Sequence, residues 1–337
     1  MIDLRSDTVT KPTPGMLKAM VDADVGDDVF GEDPTVNRFQ NEMAEMFGME
    51  AGLFVPSGTM CNQLCLNVLT NAGDEVIIDE TGHIFNYETG AAAHLSSIQL
   101  RPLKGVRGKL TKELIESAIR PQNEWDPLSR VIAIENSTNK GGGACYSREE
   151  LIEISNIASK LNLAVHLDGA RIWNAMIATG IEPAFFGSVA DTISISFSKG
   201  LGAPVGSMML SSKGFVKKAR RMRKMWGGGM RQTGLLAAAA NYAVDHHWVF
   251  LEDDHRRAKK FANEISKHHL FSIDPELVET NIVLFEVKSG TVDSTLKQFS
   301  EKGVLMVPFG GKMIRATFHF QITDDDLHRV LQILNEF

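Results

Sequence analysis

Two apolar rhythms alternate along this chain, and that alternation limits its fold more than any other feature. Compact apolar runs, "VIAIEN", "LAVHLDGAR" and "DTISISFSK", read as buried strands. Between the first two lies "SREELIEISNIASKLN", a helix that begins at Ser147 with Glu150 three residues on, the pattern of a capping box. Earlier, "PTVNRFQNEMAEMF" reads as an amphipathic helix entered through a proline. "AGLFVPSGTMCNQLCLNVLTNAG" reads as a strand, a turn and a helix ended by Gly73, and "DEVIIDE" as a further strand. Strands alternating with helices predict an α/β fold with a mainly parallel sheet covered on both faces. Such sheets bind ligands at the carboxyl ends of their strands.

The rhythm changes near residue 245. "HHWVFLEDDHRRAKKFANEISKHH" is a charged amphipathic helix, followed by "NIVLFEV", "KMIRATFHF" and a last helix "TDDDLHRVLQILNEF". We therefore expect a large unit over 1–245 and a small α+β unit over 246–337; the polar N-terminal segment is counted with the large unit, with packing against either unit open to it. A chain of 337 residues suits such a division. The formal charge of -7 argues against non-specific nucleic-acid binding. No apolar run reaches the length of a membrane span. The opening "MIDLRSDTVTKPT" lacks the apolar core of a secretory signal. Three cysteines, Cys61, Cys65 and Cys145, are too few for a disulfide framework, which fits a reducing cytoplasm. Cys61 and Cys65 lack His or Cys partners at ligand spacing and read as core thiols. No metal ligand set is assigned.

Three features sit where strands end. Ser57-Gly58-Thr59 follows a strand and opens a helix, where free N–H groups and the dipole favour an anion; a plain N-cap is the alternative. Asp168 ends an apolar run, where a carboxylate needs a cation or strong donors. Arg171, three residues on, is its local candidate partner in a structural pair. Lys199 ends the next strand run. It is either a solvated charge or a desolvated amine able to form a Schiff base, and Gly200, Gly202 and Gly206 allow tight backbone around anything attached to it. A phosphate cradle, a carboxylate and an amine at one sheet edge together match pyridoxal 5'-phosphate. His83, with Phe85 and Tyr87 nearby, follows "DEVIID" and could lie flat against the ring.

These residues resemble the L-threonine aldolase family, pyridoxal-phosphate enzymes of fold type I in the aspartate aminotransferase superfamily. "DLRSDTVTKPT", "DDVFGEDPTVN", "FVPSGTMCNQ", "HLDGARIWNA", "SFSKGLGAPVGS" and "GGGMRQTG" carry the resemblance in the family's order. It implies cleavage of L-threonine, L-allo-threonine or a related β-hydroxy amino acid to glycine and an aldehyde. Lys199 would be the Schiff-base lysine, Asp168 the partner of the pyridine nitrogen, and His83 the ring-stacking residue and candidate base. Ser57, Gly58 and Thr59 would hold the phosphate. Arg171 would lie near the cofactor hydroxyl and substrate, and Ser6 and Arg315 would bind the substrate carboxylate. Lys224 and Arg231 would reach a neighbouring subunit's phosphate, and Tyr87 would serve the substrate side. The resemblance implies a homo-oligomer with shared sites, at least a dimer and by similarity a tetramer. Two positions depart from the family's pattern. Trp125 and Thr138 stand at or near places where many members carry a histidine. A β-eliminating lyase or an aminotransferase would share Lys199 and Asp168. A nicotinamide dehydrogenase would need a G-x-G-x-x-G turn after the first strand, which is absent.

Overall fold

The computed structural model describes residues 1–337. Its centre is a seven-stranded sheet in the spatial order 51–55, 207–211, 192–196, 164–169, 129–135, 75–79, 99–103. The strand 207–211 is antiparallel to both neighbours, and the other pairings are parallel. The expected α/β architecture is therefore present. The short run "SMMLS" carried no alternation to mark it as the antiparallel member. The strands 75–79, 192–196 and 207–211 are buried along their whole length. Helices on both faces explain this.

Helix entry follows side-chain chemistry. Asp33 caps the helix Pro34–Met46 by accepting from the Val36 amide at 3.0 Å. Ser147 and Glu150 form the full capping box of the helix Arg148–Leu161. Ser57 caps Gly58–Leu69, accepting from the Met60 amide at 3.2 Å. That helix stops at Leu69, and Gly73 instead takes a positive φ of 89° in the turn beyond it. The largest apolar cluster fills one face of the sheet. Cys61 and Cys65 are buried free thiols in a smaller cluster with Leu53, Val55 and Met209. No helix is long and apolar enough to cross a membrane.

A second core surrounds an antiparallel sheet of 307–308, 313–317, 282–287 and 271–272. It draws in the chain's first residues. Ile2 and Asp3 pair in parallel with Val304 and Leu305, and Leu4 is fully buried among Phe261, Phe285 and Phe318. Residues 2–4, counted above with the large unit, thus pack with the small one, because three backbone hydrogen bonds and two apolar side chains hold them there. The chain then crosses to the large sheet, where the Thr10 hydroxyl donates to the Lys199 carbonyl at 2.9 Å. Leu4→Ala should cost about 3 kcal/mol, the usual cost of truncating a buried leucine. Urea denaturation measures it.

Candidate active site

In-register pairing sets the site. Glu135 lies opposite Asp168, and Asp168 opposite Ser194, at the carboxyl ends of three adjacent parallel strands. Lys199 follows the third of these in a tight loop, closed where the Phe197 amide meets the Gly206 carbonyl at 3.1 Å. The loop's glycines serve the chain itself. A Cβ at Gly200 would stand 2.9 Å from Leu251, at Gly202 2.5 Å from Phe320, and at Gly206 2.5 Å from Phe54. Their expected role as room for a group bound to Lys199 is replaced by internal packing.

The Lys199 side chain lines an open cavity of about 810 Å³ with Ser6, His83, Tyr87, Arg171 and Arg315. Burial lowers the pKa of its amine, and the nearby Arg171 charge lowers it further. His83 also lines the adjoining recess, which holds Asp168 and Glu135.

Asp168 is 2% exposed. Its oxygens accept from Asn62 Nδ2 at 2.9 Å and from the Ala170 amide at 3.1 Å. The second Asn62 amide hydrogen goes to Glu88 at 2.8 Å, and Asn62 Oδ1 accepts from Ser194 at 2.5 Å. Glu88, buried, also meets His83 Nδ1 at 3.0 Å and Gln63 at 2.7 Å. Burial opposes protonation of His83, but Glu88 and the charge of Asp168 outweigh it and raise its pKa. His83, Glu88 and Asp168 present atoms within 4.8 Å of one another. Asn62 bridges the two carboxylates and His83 meets Glu88, so hydrogen bonds already close this cluster and leave little vacant valence for a metal.

Arg171 does not pair with Asp168. Its Nε and a terminal nitrogen make a two-pronged pair with Asp7, at 2.7 and 2.8 Å. Burial penalises the Asp7 charge, yet Arg171 outweighs it and holds this carboxyl far below the usual range. Asn281 of the small unit donates to Asp7 at 3.2 Å. Arg315 donates to Asn139 Oδ1 at 2.9 Å and to the Arg5 carbonyl at 3.0 Å, while its Nε is buried without a partner.

At the opposite side, Gly58 and Thr59 form the first turn of the helix capped by Ser57. A Cβ on Gly58 would meet only Ser207 Oγ, at 3.7 Å, and that hydroxyl is buried without a partner. A helix N-terminus beside an orphan hydroxyl, a buried carboxylate and a desolvated lysine fit the phosphate, ring nitrogen and aldehyde of pyridoxal phosphate.

Residues 3–289 match the model of the beta-eliminating lyase family. The chain is 39% identical to low-specificity L-threonine aldolase 1 of Arabidopsis thaliana, covering 99% of this chain and 96% of that protein. It is 37% identical to the low specificity L-threonine aldolase of Escherichia coli strain K12, covering 98% and 97%. The chain belongs to the threonine aldolase family of lyases. A solved Leishmania major threonine aldolase has the same fold, with a TM-score of 0.85 at 20% identity over 100% of this chain and 99% of that one.

Not every expected residue of a threonine aldolase site meets here within one chain. Lys224 lines a separate cationic recess with Arg220 and Arg223. Arg231 pairs with Asp27 at 2.8 Å on the surface. Neither lines the Lys199 cavity. Trp125 is 80% exposed in a loop. Thr138 is buried, and its hydroxyl donates to the Arg107 carbonyl at 2.9 Å. Tyr87 is half exposed at the cavity mouth, with Lys140 over its ring at 5.3 Å. Asp7, Asn62, Glu88 and Asn139 were not singled out from sequence. The one available signal was a carboxylate five residues after His83; the other three contacts span from 106 to 274 positions.

Asp7→Asn should cost about 3–5 kcal/mol near neutral pH, because it leaves Arg171 charged and buried without its partner. Asp7 has a depressed folded pKa. Its contribution is therefore complete above the ordinary carboxylate pKa of about 4 and is lost as pH falls below it. Denaturation of both proteins between neutral and acid pH checks this, and the two curves should converge in acid.

Proposed function

We propose that this chain is a pyridoxal-phosphate-dependent aldolase that cleaves L-threonine, L-allo-threonine or related β-hydroxy-α-amino acids to glycine and an aldehyde. The observation that carries this reading is Lys199 and Asp168 at neighbouring strand ends, with Arg315 of the small unit lining the Lys199 cavity.

Pyridoxal phosphate supplies an electron sink for the charge left on Cα when the Cα–Cβ bond breaks. The chain's own residues do the rest. Ser57, Gly58 and Thr59 bind the phosphate, and Ser207 Oγ lies beside them. Asp168, oriented by Asn62 and the Ala170 amide, would hold the proton on the ring nitrogen. Lys199, whose amine pKa is lowered by burial and by Arg171, would join and release the aldehyde carbon. Arg315 and Ser6 fix the substrate carboxylate, which turns the breaking bond into alignment. Alignment accelerates this step, whereas uniform binding does not.

His83 stacks on the ring and takes the β-hydroxyl proton. Its Nδ1 is turned to Glu88, so Nε2 is the nitrogen free to act. Glu88 stabilises the imidazolium that forms. As the proton leaves, the oxygen's electron pair would form the aldehyde carbonyl, and the cofactor, held by the residues above, would supply the sink for the Cα–Cβ pair; a proton delivered to Cα would then give glycine. Arg171, locked by Asp7, places a fixed cation near Lys199 and the cofactor hydroxyl.

Lys224 and Arg231 find no cofactor-side role within one chain. This supports a homo-oligomer, at least a dimer and by similarity a tetramer, in which they reach a neighbour's phosphate. We place the protein in the cytoplasm, and the division between its units near residue 245.

Cofactor-loaded protein should show an absorbance band near about 420 nm that Lys199→Ala abolishes. L-threonine should yield acetaldehyde and glycine; 2-oxobutanoate and ammonia would mean β-elimination instead. His83→Ala should keep the cofactor and lower kcat by about 100-fold, the usual contribution of a positioned base.

A further inference from the structure

Glu135 ends the strand 129–135, which lies beside the central strand 164–169, and is 8% exposed. Its two oxygens serve backbone amides and no cation. One accepts the N–H of His83 at 2.8 Å, and the other accepts the N–H of Asn139 at 2.7 Å. The Asn139 side chain in turn accepts from Arg315 at 2.9 Å. One carboxylate is thus tied on one side to the His83 backbone and on the other, through a single residue, to Arg315.

We infer that Glu135 is a positioning residue that sets the separation between His83 and Arg315 by holding both their supports from one strand end. The inference rests on the aldolase reading, which gives those two residues their roles.

Three observations support it. The anchor is rigid, because Glu135 is locked in register against Asp168. The bonds are strong for their kind, since a carboxylate accepting an amide N–H makes a charge-assisted bond. And the arrangement is costly. Burial, then the neighbouring Asp168 charge, both push the Glu135 pKa up. Burial and a like charge both act against this carboxylate, and the donors on its two oxygens, the backbones of two site residues, offset them. Only a carboxylate can do this. A glutamine offers one oxygen to one amide and turns its NH2 toward the other, donor against donor.

The test uses cofactor-loaded protein. Glycine affinity is read from the change in cofactor absorbance, with kcat and KM for L-threonine measured alongside. Glu135→Gln should weaken glycine binding and raise KM by roughly tenfold, and should also lower kcat, as expected when one amide is left unpaired. Asn139→Ala cuts the link to Arg315 and leaves the His83 link intact. In that background Glu135→Gln should still lower kcat but change glycine affinity by less than about twofold. Equal weakening of glycine binding in both backgrounds would overturn the inference, as a general structural defect does not follow the Asn139 path. Unchanged glycine affinity in Glu135→Gln would overturn it too. Glu135→Asp keeps the charge but is too short to reach both amides, and it carries the same comparison if the glutamine variant does not fold. Wild-type protein that binds the cofactor but not glycine would count against the aldolase reading itself.

Discussion

The pair of Asp7 and Arg171 is where three parts of this molecule meet. Arg171 follows the strand 164–169 that carries Asp168, Asp7 belongs to the N-terminal segment, and Asn281 immediately precedes the strand 282–287 of the small unit. Both charges are almost wholly removed from water. Such a pair adds little stability compared with apolar packing, but breaking it is expensive. Its consequence is therefore geometric. It fastens the segment that carries Ser6, and the unit that carries Arg315, against the edge where Lys199 emerges.

Behind that junction lies a polar layer whose donors and acceptors are matched in detail. Asn62 uses both its hydrogens on carboxylates and its oxygen on Ser194. His166 meets the same oxygen at 3.2 Å and Thr192 at 3.0 Å. A half-satisfied network at this depth would destabilise the fold, whereas a satisfied one gives each side chain a single orientation. Asp168 and His83 are held in this way. Two of the buried atoms left without a partner belong to residues of the candidate site, Ser207 Oγ at the helix start and Arg315 Nε.

Much of this was legible along the chain. The strand runs before Asp168 and Lys199 declared themselves because buried parallel strands must be apolar throughout. The caps at Ser57 and Ser147 declared themselves because helix amides need local acceptors. The antiparallel strand 207–211 did not, since its direction depends on the loop that turns back at Gly206 and not on any periodicity. The glycines after Lys199 were misleading for a related reason. A glycine signals that something lies close, but not whether that is a ligand or, as here, Leu251, Phe320 and Phe54.

The sequence by itself determined the sheet's class, the ends of its strands and the cap that opens the helix at Gly58, because each follows from short-range rules of spacing and capping. Tertiary structure alone decided the partners. Arg171 met Asp7 and not its near neighbour Asp168, Glu88 came behind His83, and residues 2–4 joined the far unit. Buried charges take whichever partner completes their desolvated hydrogen bonds, and packing chooses that partner without regard to distance along the chain.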